Sequence, residues 1–228
     1  MRWVGQFLIS SLAAPVAVAG PWGQEDGNLF ARVAYSAEQI DGAEAWRADV
    51  YGEYGLNQNW TAIAKVESVQ FPNAAEFDAA EARLIFQRQM FSNKYIVVAA
   101  GGGLVSGAAI GGVDGCNSLG GEVRASIGSS GAISDREWYA SVDYSDRWHS
   151  DGCQRTKMDF VTGFEIGKNT IISPQVYVER SNRGADSIAV QMEWIRQTPW
   201  FDLTVGYKYE SGDLFEQQAT IIAISRKF

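Results

Sequence analysis

Trp46-Arg47-Ala48-Asp49-Val50-Tyr51-Gly52-Glu53-Tyr54 sets Trp46, Ala48, Val50, Gly52 and Tyr54 at one parity and Arg47, Asp49, Tyr51 and Glu53 at the other. Successive side chains of a β-strand point to opposite faces, so the segment reads as a strand with one apolar and one charged face. Wound into a helix, the same text would mix the two classes on every side. The reading decides the fold because the pattern recurs. Trp60, Ala62, Ala64 and Val66 oppose Thr61, Lys65 and Glu67; Ala80, Ala82, Leu84 and Phe86 oppose Glu81, Arg83 and Gln87; Met158, Phe160, Phe164 and Ile166 oppose Lys157, Asp159 and Glu165.

About twelve such strands are expected, at 28–38, 44–55, 60–70, 78–90, 95–106, 118–128, 136–147, 156–166, 171–181, 186–196, 201–211 and 217–228. Lengths of about ten or eleven residues suit a tilted strand crossing a hydrocarbon layer. No apolar run after residue 20 is long enough for a membrane helix, and the mean hydropathy is −0.15. A membrane barrel produces both features, because only alternate side chains meet lipid. An open sheet edge in lipid would leave backbone donors and acceptors unpaired, so the sheet must close. The expected fold is all-β, a closed antiparallel transmembrane β-barrel. Its least patterned strand is Tyr95–Leu104, small or apolar on both faces. The run Gly101-Gly102-Gly103 lacks the lysine and hydroxyl residue of a phosphate loop, and is expected to permit close packing or a bend.

Compact turns at Leu56–Asn59, Phe91–Lys94, Gly167–Thr170 and Gln197–Trp200, and a somewhat longer one at Ser129–Asp135, all follow even-numbered strands. With the amino terminus on the inner side of the membrane, short connections face inward. The longest connections, Gly107–Asn117 and Trp148–Arg155, then face outward and carry Cys116 and Cys153.

At the start of the chain, Arg2, the apolar stretch Trp3–Val18 and the sequence Ala17-Val18-Ala19 read as a cleaved secretory signal, giving residues 1–19 as signal peptide and 20–228 as one barrel domain. Export places the two cysteines in an oxidising compartment, where a bond between Cys116 and Cys153 is permitted and would contribute about 3 kcal/mol or somewhat more. The whole chain carries a formal charge of −8. Losing residues 1–19 removes Arg2 alone and makes the balance more acidic, which argues against nucleic-acid binding.

The final segment, Ala219-Thr-Ile-Ile-Ala-Ile-Ser-Arg-Lys-Phe228, puts Ile222, Ile224 and Phe228 on one face. With aromatic residues near strand ends (Trp46, Tyr54, Trp60, Trp138, Tyr144, Trp194, Trp200 and Tyr209) and the turn Gly55–Trp60, the chain resembles the porin-like β-barrels of Gram-negative outer membranes. The resemblance covers nearly all of the chain after the signal and rests on pattern; Arg226 departs from the apolar or aromatic residue usual there. It implies an outer-membrane location, contact with outer-membrane lipid, and recognition of the last strand, ending at Phe228, by the barrel-assembly machinery.

The polar faces carry more acidic than basic residues, so the lumen is expected to be charged and net acidic. Arg47, Glu53, Glu67, Glu81, Arg83, Arg124, Asp143 and Asp159 are the expected interior network. Such a field favours passive passage of small cationic or neutral solutes. Two other readings stay open: a closed barrel filled by paired side chains that serves structure or surface interaction, and a soluble exported barrel with reversed parity that binds an apolar ligand. Because no connection is long, any plug must come from side chains or the short amino-terminal segment. The single histidine, His149, lies beside Ser150, with Asp146 and Asp151 near, but nothing fixes a catalytic geometry, and no enzyme activity is expected. Cys116, His149, Asp151 and Cys153 lack paired ligand spacing, so neither a metal nor another cofactor is expected.

Overall fold

A computed structural model describes residues 20–107, 116–184 and 186–228. The expected signal peptide, 1–19, and most of the connection after Gly107 lie outside the described residues. Twelve strands follow one another: β1 (Leu29–Ile40), β2 (Ala43–Asn57), β3 (Trp60–Gln70), β4 (Ala79–Ser92), β5 (Val97–Gly107), β6 (Leu119–Ile133), β7 (Arg136–His149), β8 (Gln154–Gly167), β9 (Thr170–Ser181), β10 (Ser187–Gln197), β11 (Asp202–Gly212) and β12 (Glu216–Lys227). One short 3-10 turn, Ala75–Phe77, lies between β3 and β4.

Each strand pairs antiparallel with its sequence neighbours, and β1 pairs with β12 from Phe30 opposite Lys227 to Ile40 opposite Gln217. The seam extends to the chain end: Phe228 N donates to Leu29 O at 2.7 Å and Leu29 N to Phe228 O at 3.2 Å. The barrel is thus closed, with no unpaired edge to leave backbone groups exposed to lipid.

The tightest hairpins turn through left-handed backbone. Asp41 and Gly42 have φ of 51° and 81°, and Ser134 and Asp135 have 52° and 63°. Two successive left-handed residues give the turn whose twist matches that of the flanking strands. The second turn corrects the expected connection at Ser129–Asp135. β6 continues to Ile133, and Ser129–Ile133 pair with Ala140–Arg136. Ladder hydrogen bonds decide there, where the side chains carry no alternating pattern. The connection expected at Trp148–Arg155 likewise shortens, because β7 runs to His149 and β8 begins at Gln154.

Parity follows the charged and apolar text. Val33, Val50 and Val66 stand exposed on the outer wall at 58%, 53% and 57%, whereas Glu53 and Glu122 are buried inside. A wall of exposed valine, leucine, isoleucine and phenylalanine around the whole circumference would be unfavourable in water and is what a bilayer covers. Trp60, Trp194 and Trp200 stand at the amino-terminal end of this wall, and Tyr35, stacked on Trp46 at 5.6 Å, stands toward the other. Rings of this kind favour the lipid–water interface at either end.

β5 departs from the charged-inside rule. Its inward residues are Val97, Ala99, Gly101, Gly103 and Val105. A Cβ on Gly103 would lie 1.9 Å from Leu84 O, and one on Gly101 2.8 Å from Phe86 O. The glycine run therefore lets β4 and β5 approach more closely than any side chain would allow.

Candidate functional site

The barrel interior is a lattice of ion pairs built from alternate residues of nearly every strand. Arg47 on β2 donates to Glu38 of β1 at 2.7 Å and also binds Glu67 of β3. Lys65 bridges Asp49, at 2.8 Å, and Glu67. Arg83 contacts Glu81 at 2.6 Å and Glu122 at 3.7 Å, and Arg147 reaches the same two carboxylates at 3.3 and 2.8 Å. These contacts run from β4 and β7 across β5, where Gly103 pairs with Glu122 and Val105 with Arg83. Arg124 lies 3.2 Å from Asp143, which also accepts from Ser126; Lys157 lies 3.1 Å from Asp159. Arg32 reaches Glu193 at 2.7 Å, Lys208 reaches Glu210 at 2.7 Å, and Arg155 pairs with Glu179.

All eight residues expected in the network point into the lumen, although they do not form one cluster. Arg47 and Glu67 belong to one group, and Glu81 and Arg83 to another centred on Glu122. Arg124 and Asp143 form a third; Asp159, paired across the strands with Asp143, binds Lys157. Glu53 stands apart, accepting hydrogen bonds from Tyr51 and from Gln24. The sequence reading left out Arg155, because it lay in an expected loop rather than on β8. Arg147, which bridges Glu81 and Glu122, is likewise not among the residues expected in the network.

Within the span of the strands, Arg32, Arg47, Lys65, Arg83, Arg124, Arg147, Arg155, Lys157 and Lys208 face Glu38, Asp49, Glu53, Glu67, Glu81, Glu122, Asp143, Asp159, Glu179, Glu193 and Glu210. That is nine cations against eleven carboxylates among the described residues. Carboxylates thus outnumber cations by a small margin, and paired partners offset most of the charge. Glu137, Glu165 and Asp202, of the same inward parity, lie at the amino-terminal mouth, near the start of β7, the end of β8 and the start of β11, and add to the excess of carboxylates; Glu165 accepts from Glu137 N at 3.2 Å.

Two adjacent cavities remain between these side chains. One, of about 240 Å³, opens toward Glu38, Phe215 and Gln217 at the end away from the amino terminus. The other, of about 150 Å³, lies deeper, against Tyr51, Ile63, Ile85, Arg124 and Asp143. Arg32, Asp49, Lys65, Arg83, Arg147, Lys157 and Tyr177 border both and form the waist between them. Beyond the deeper cavity, at the amino-terminal mouth, residues 20–25 lie inside the barrel. Pro21 is fully buried, and Trp22 meets the Tyr139 ring edge-on at 6.3 Å.

Cys116 and Cys153 are joined, with their Cα atoms 5.5 Å apart, tying the connections β5–β6 and β7–β8 together. The sulfurs are therefore not available as thiolate ligands. His149 is buried beside them, with Nδ1 2.8 Å from Ser118 O and no hydrogen-bond partner on Nε2. Ser150 is exposed, and its N–H donates to Leu119 O. No serine hydroxyl among the described residues is hydrogen-bonded to the imidazole.

No family model matches the chain, and no curated protein matches it. Solved structures do. An outer membrane channel from Pseudomonas putida F1 matches with TM-score 0.58 at 9% identity, over 94% of this chain and all of that one. The KdgM porin in complex with disordered oligogalacturonate matches with TM-score 0.54 at 10% identity, over 86% of this chain and 99% of that one. The translocator domain of the autotransporter NalP from Neisseria meningitidis matches with TM-score 0.52 at 11% identity, over 90% of each. The chain has the fold of a bacterial outer-membrane β-barrel. The apolar outer wall, the ends marked by aromatic rings and the polar lumen are the physical content of that likeness.

Proposed function

We propose that the protein is a narrow passive channel of the bacterial outer membrane for small polar solutes, cationic or neutral rather than anionic. The observation that carries this reading is the pair of adjacent polar cavities, bordered in common by seven side chains, inside a closed wall with an apolar outer face. The channel and porin named among the similar solved structures support the reading at the level of fold. The modest excess of carboxylates supports the charge preference, since fields inside a low-dielectric wall act strongly on passing ions.

The waist is where selectivity would arise. Its cations and carboxylates hold one another, so a solute must exchange contacts with standing ion pairs rather than meet an unbalanced ring of charge. That arrangement predicts small conductance and weak ion preference. Location in the outer membrane, export through a signal cleaved after Ala19 and delivery by the assembly machinery through Phe228 belong to the same proposal.

Single-channel recording of the purified protein in planar bilayers tests it. The expected result is small steps with a reversal potential displaced modestly toward cations under a salt gradient. A folded barrel that stays silent, with its amino-terminal mouth demonstrably cleared, would favour the closed structural barrel instead.

A further inference from the structure

The charged lumen contains one inward apolar patch near the amino-terminal mouth, made by Tyr139, Val161, Ile171 and Ile195 on β7 to β10, and Trp22 of the same chain packs on it. Residues 20–25 cross the mouth to reach it. Glu25 lies against β2, Gln24 N donates to Thr61 Oγ1 on β3 at 3.0 Å, and Gln24 Nε2 to Glu53 Oε2 on β2 at 2.6 Å. Gln87 Nε2 on β4 donates to Gly20 O at 2.8 Å.

The wall is shaped to take this segment. A Cβ on Gly128 would lie 2.6 Å from Pro21 Cγ and 2.7 Å from the Trp22 ring, and a Cβ on Gly55 would lie 2.0 Å from Glu25 O. Beneath the patch, a Cβ on Gly163 would collide with the Tyr139 ring. Absence of side chains at 55, 128 and 163 makes the room in which the segment and its seat fit. On the far side of Gly27, in left-handed backbone at φ 77°, the chain joins the barrel wall: Gly27 N donates to Gly55 O at 2.9 Å and Gly55 N to Asn28 O at 3.0 Å.

We infer that residues 20–25 are a plug that closes the amino-terminal mouth, anchored by Trp22 in the apolar seat and hinged at Gly27. Contacts running from β2 to β7, together with the seat on β7 to β10, mean that the segment spans the opening rather than lining one side. The signal cleavage expected after Ala19 would make Gly20, buried beside Gln87, the free end of the plug. The hinge lets the segment leave as a unit, because Gly20 and Gln24 are bonded to side chains of the wall, Glu25 O is held by Asn28 N within the turn itself, and the downstream bonds belong to the wall. The consequence for conductance rests on the channel reading; the closure itself does not.

The test uses the folded full-length barrel carrying Val161→Cys as a reporter beneath the plug, since Val161 is fully buried. A charged, membrane-impermeant maleimide is added with the native disulfide left intact, and the same barrels are recorded in bilayers. Intact plug sequence should protect Cys at 161. Trp22→Ala combined with Gln24→Ala should raise its labelling rate at least about tenfold and increase conductance at least twofold. Gly128→Leu, which displaces the ring from the neighbouring strand β6, should do the same by an independent route, so misfolding of one variant does not decide the matter. Equal labelling of the protected and plug-altered barrels would overturn the plug, whatever the conductance. Faster labelling with both barrels silent would keep the plug and defeat the channel.

Discussion

At the scale of single residues, the interior works because carboxylates and cations are buried together. Arg147 is the clearest case: its side chain is 6% exposed and lies between Glu81 and Glu122, which are 8% and 1% exposed. Removing one partner of a buried group leaves uncompensated charge, at about 3–5 kcal/mol. Arg147→Met should therefore lower the stability of the folded barrel by that amount, seen as a lower denaturant midpoint in detergent, with Glu122→Gln in the same background restoring part of the loss. Gly103 is a steric counterpart. Gly103→Val places branched carbon against the β4 backbone and should destabilise by about 2 kcal/mol or more, measured as a lower temperature for loss of the compact form on gels. The sequence made the parity of both positions legible. It left two things hidden: that Arg147 crosses β5 to reach Glu81, and that Trp22 fills the lumen. An alternating strand states which way a side chain points and not how far across the barrel it reaches, and Pro21 and Trp22 belong to no strand. The amino-terminal segment was open as a source of a plug, and the apolar pair Pro21-Trp22 between the expected export signal and the first strand is the signal that could have singled it out.

At the scale of elements, strand text gave boundaries to within a few residues wherever one face was apolar and the other charged. It failed at Ser129–Ile133, where serine, glycine and alanine carry no contrast and ladder pairing alone extends β6. The two cysteines show what an element-level constraint adds. Their bond closes a loop with a sequence separation of 37 and joins neighbouring hairpins. By the chain-entropy relation such a cross-link contributes about 4 kcal/mol. Cys153→Ser, or reduction, should lower the denaturant midpoint in detergent while the twelve-strand circular dichroism of the barrel persists, because the strands on either side are held by their own ladders. The last strand makes a different prediction. Phe228 completes the β1–β12 seam through its backbone, while its ring is exposed at 62%. Deleting Phe228 should leave the purified chain able to refold in detergent yet sharply reduce the amount assembled in cells, if the ring is read during assembly; equal assembly would remove that role.

For the whole molecule, the decisive property is which face of the cylinder meets lipid. A soluble barrel would enclose Val33, Val50 and Val66 and expose Arg47, Glu67 and Glu81; the fold does the reverse, and its outer wall is apolar around the full circumference. Charge on that wall is costly only where lipid covers it. Val50 lies midway along β2, so Val50→Arg places a guanidinium near the bilayer midplane, where a lipid-facing arginine costs about 2–4 kcal/mol in a transmembrane barrel. Trp46→Arg, on the same face of β2 but closer to the strand end, should cost less of this term, because the long side chain can reach the headgroups. Reversible unfolding of both variants in lipid vesicles measures the difference. A membrane barrel gives a depth-dependent penalty with Val50→Arg the larger; a wall bathed in water gives no penalty that follows position along the strand. Because both substitutions leave the lumen untouched, conductance of the folded variants should match that of the parent, which separates the cost of insertion from any change in passage.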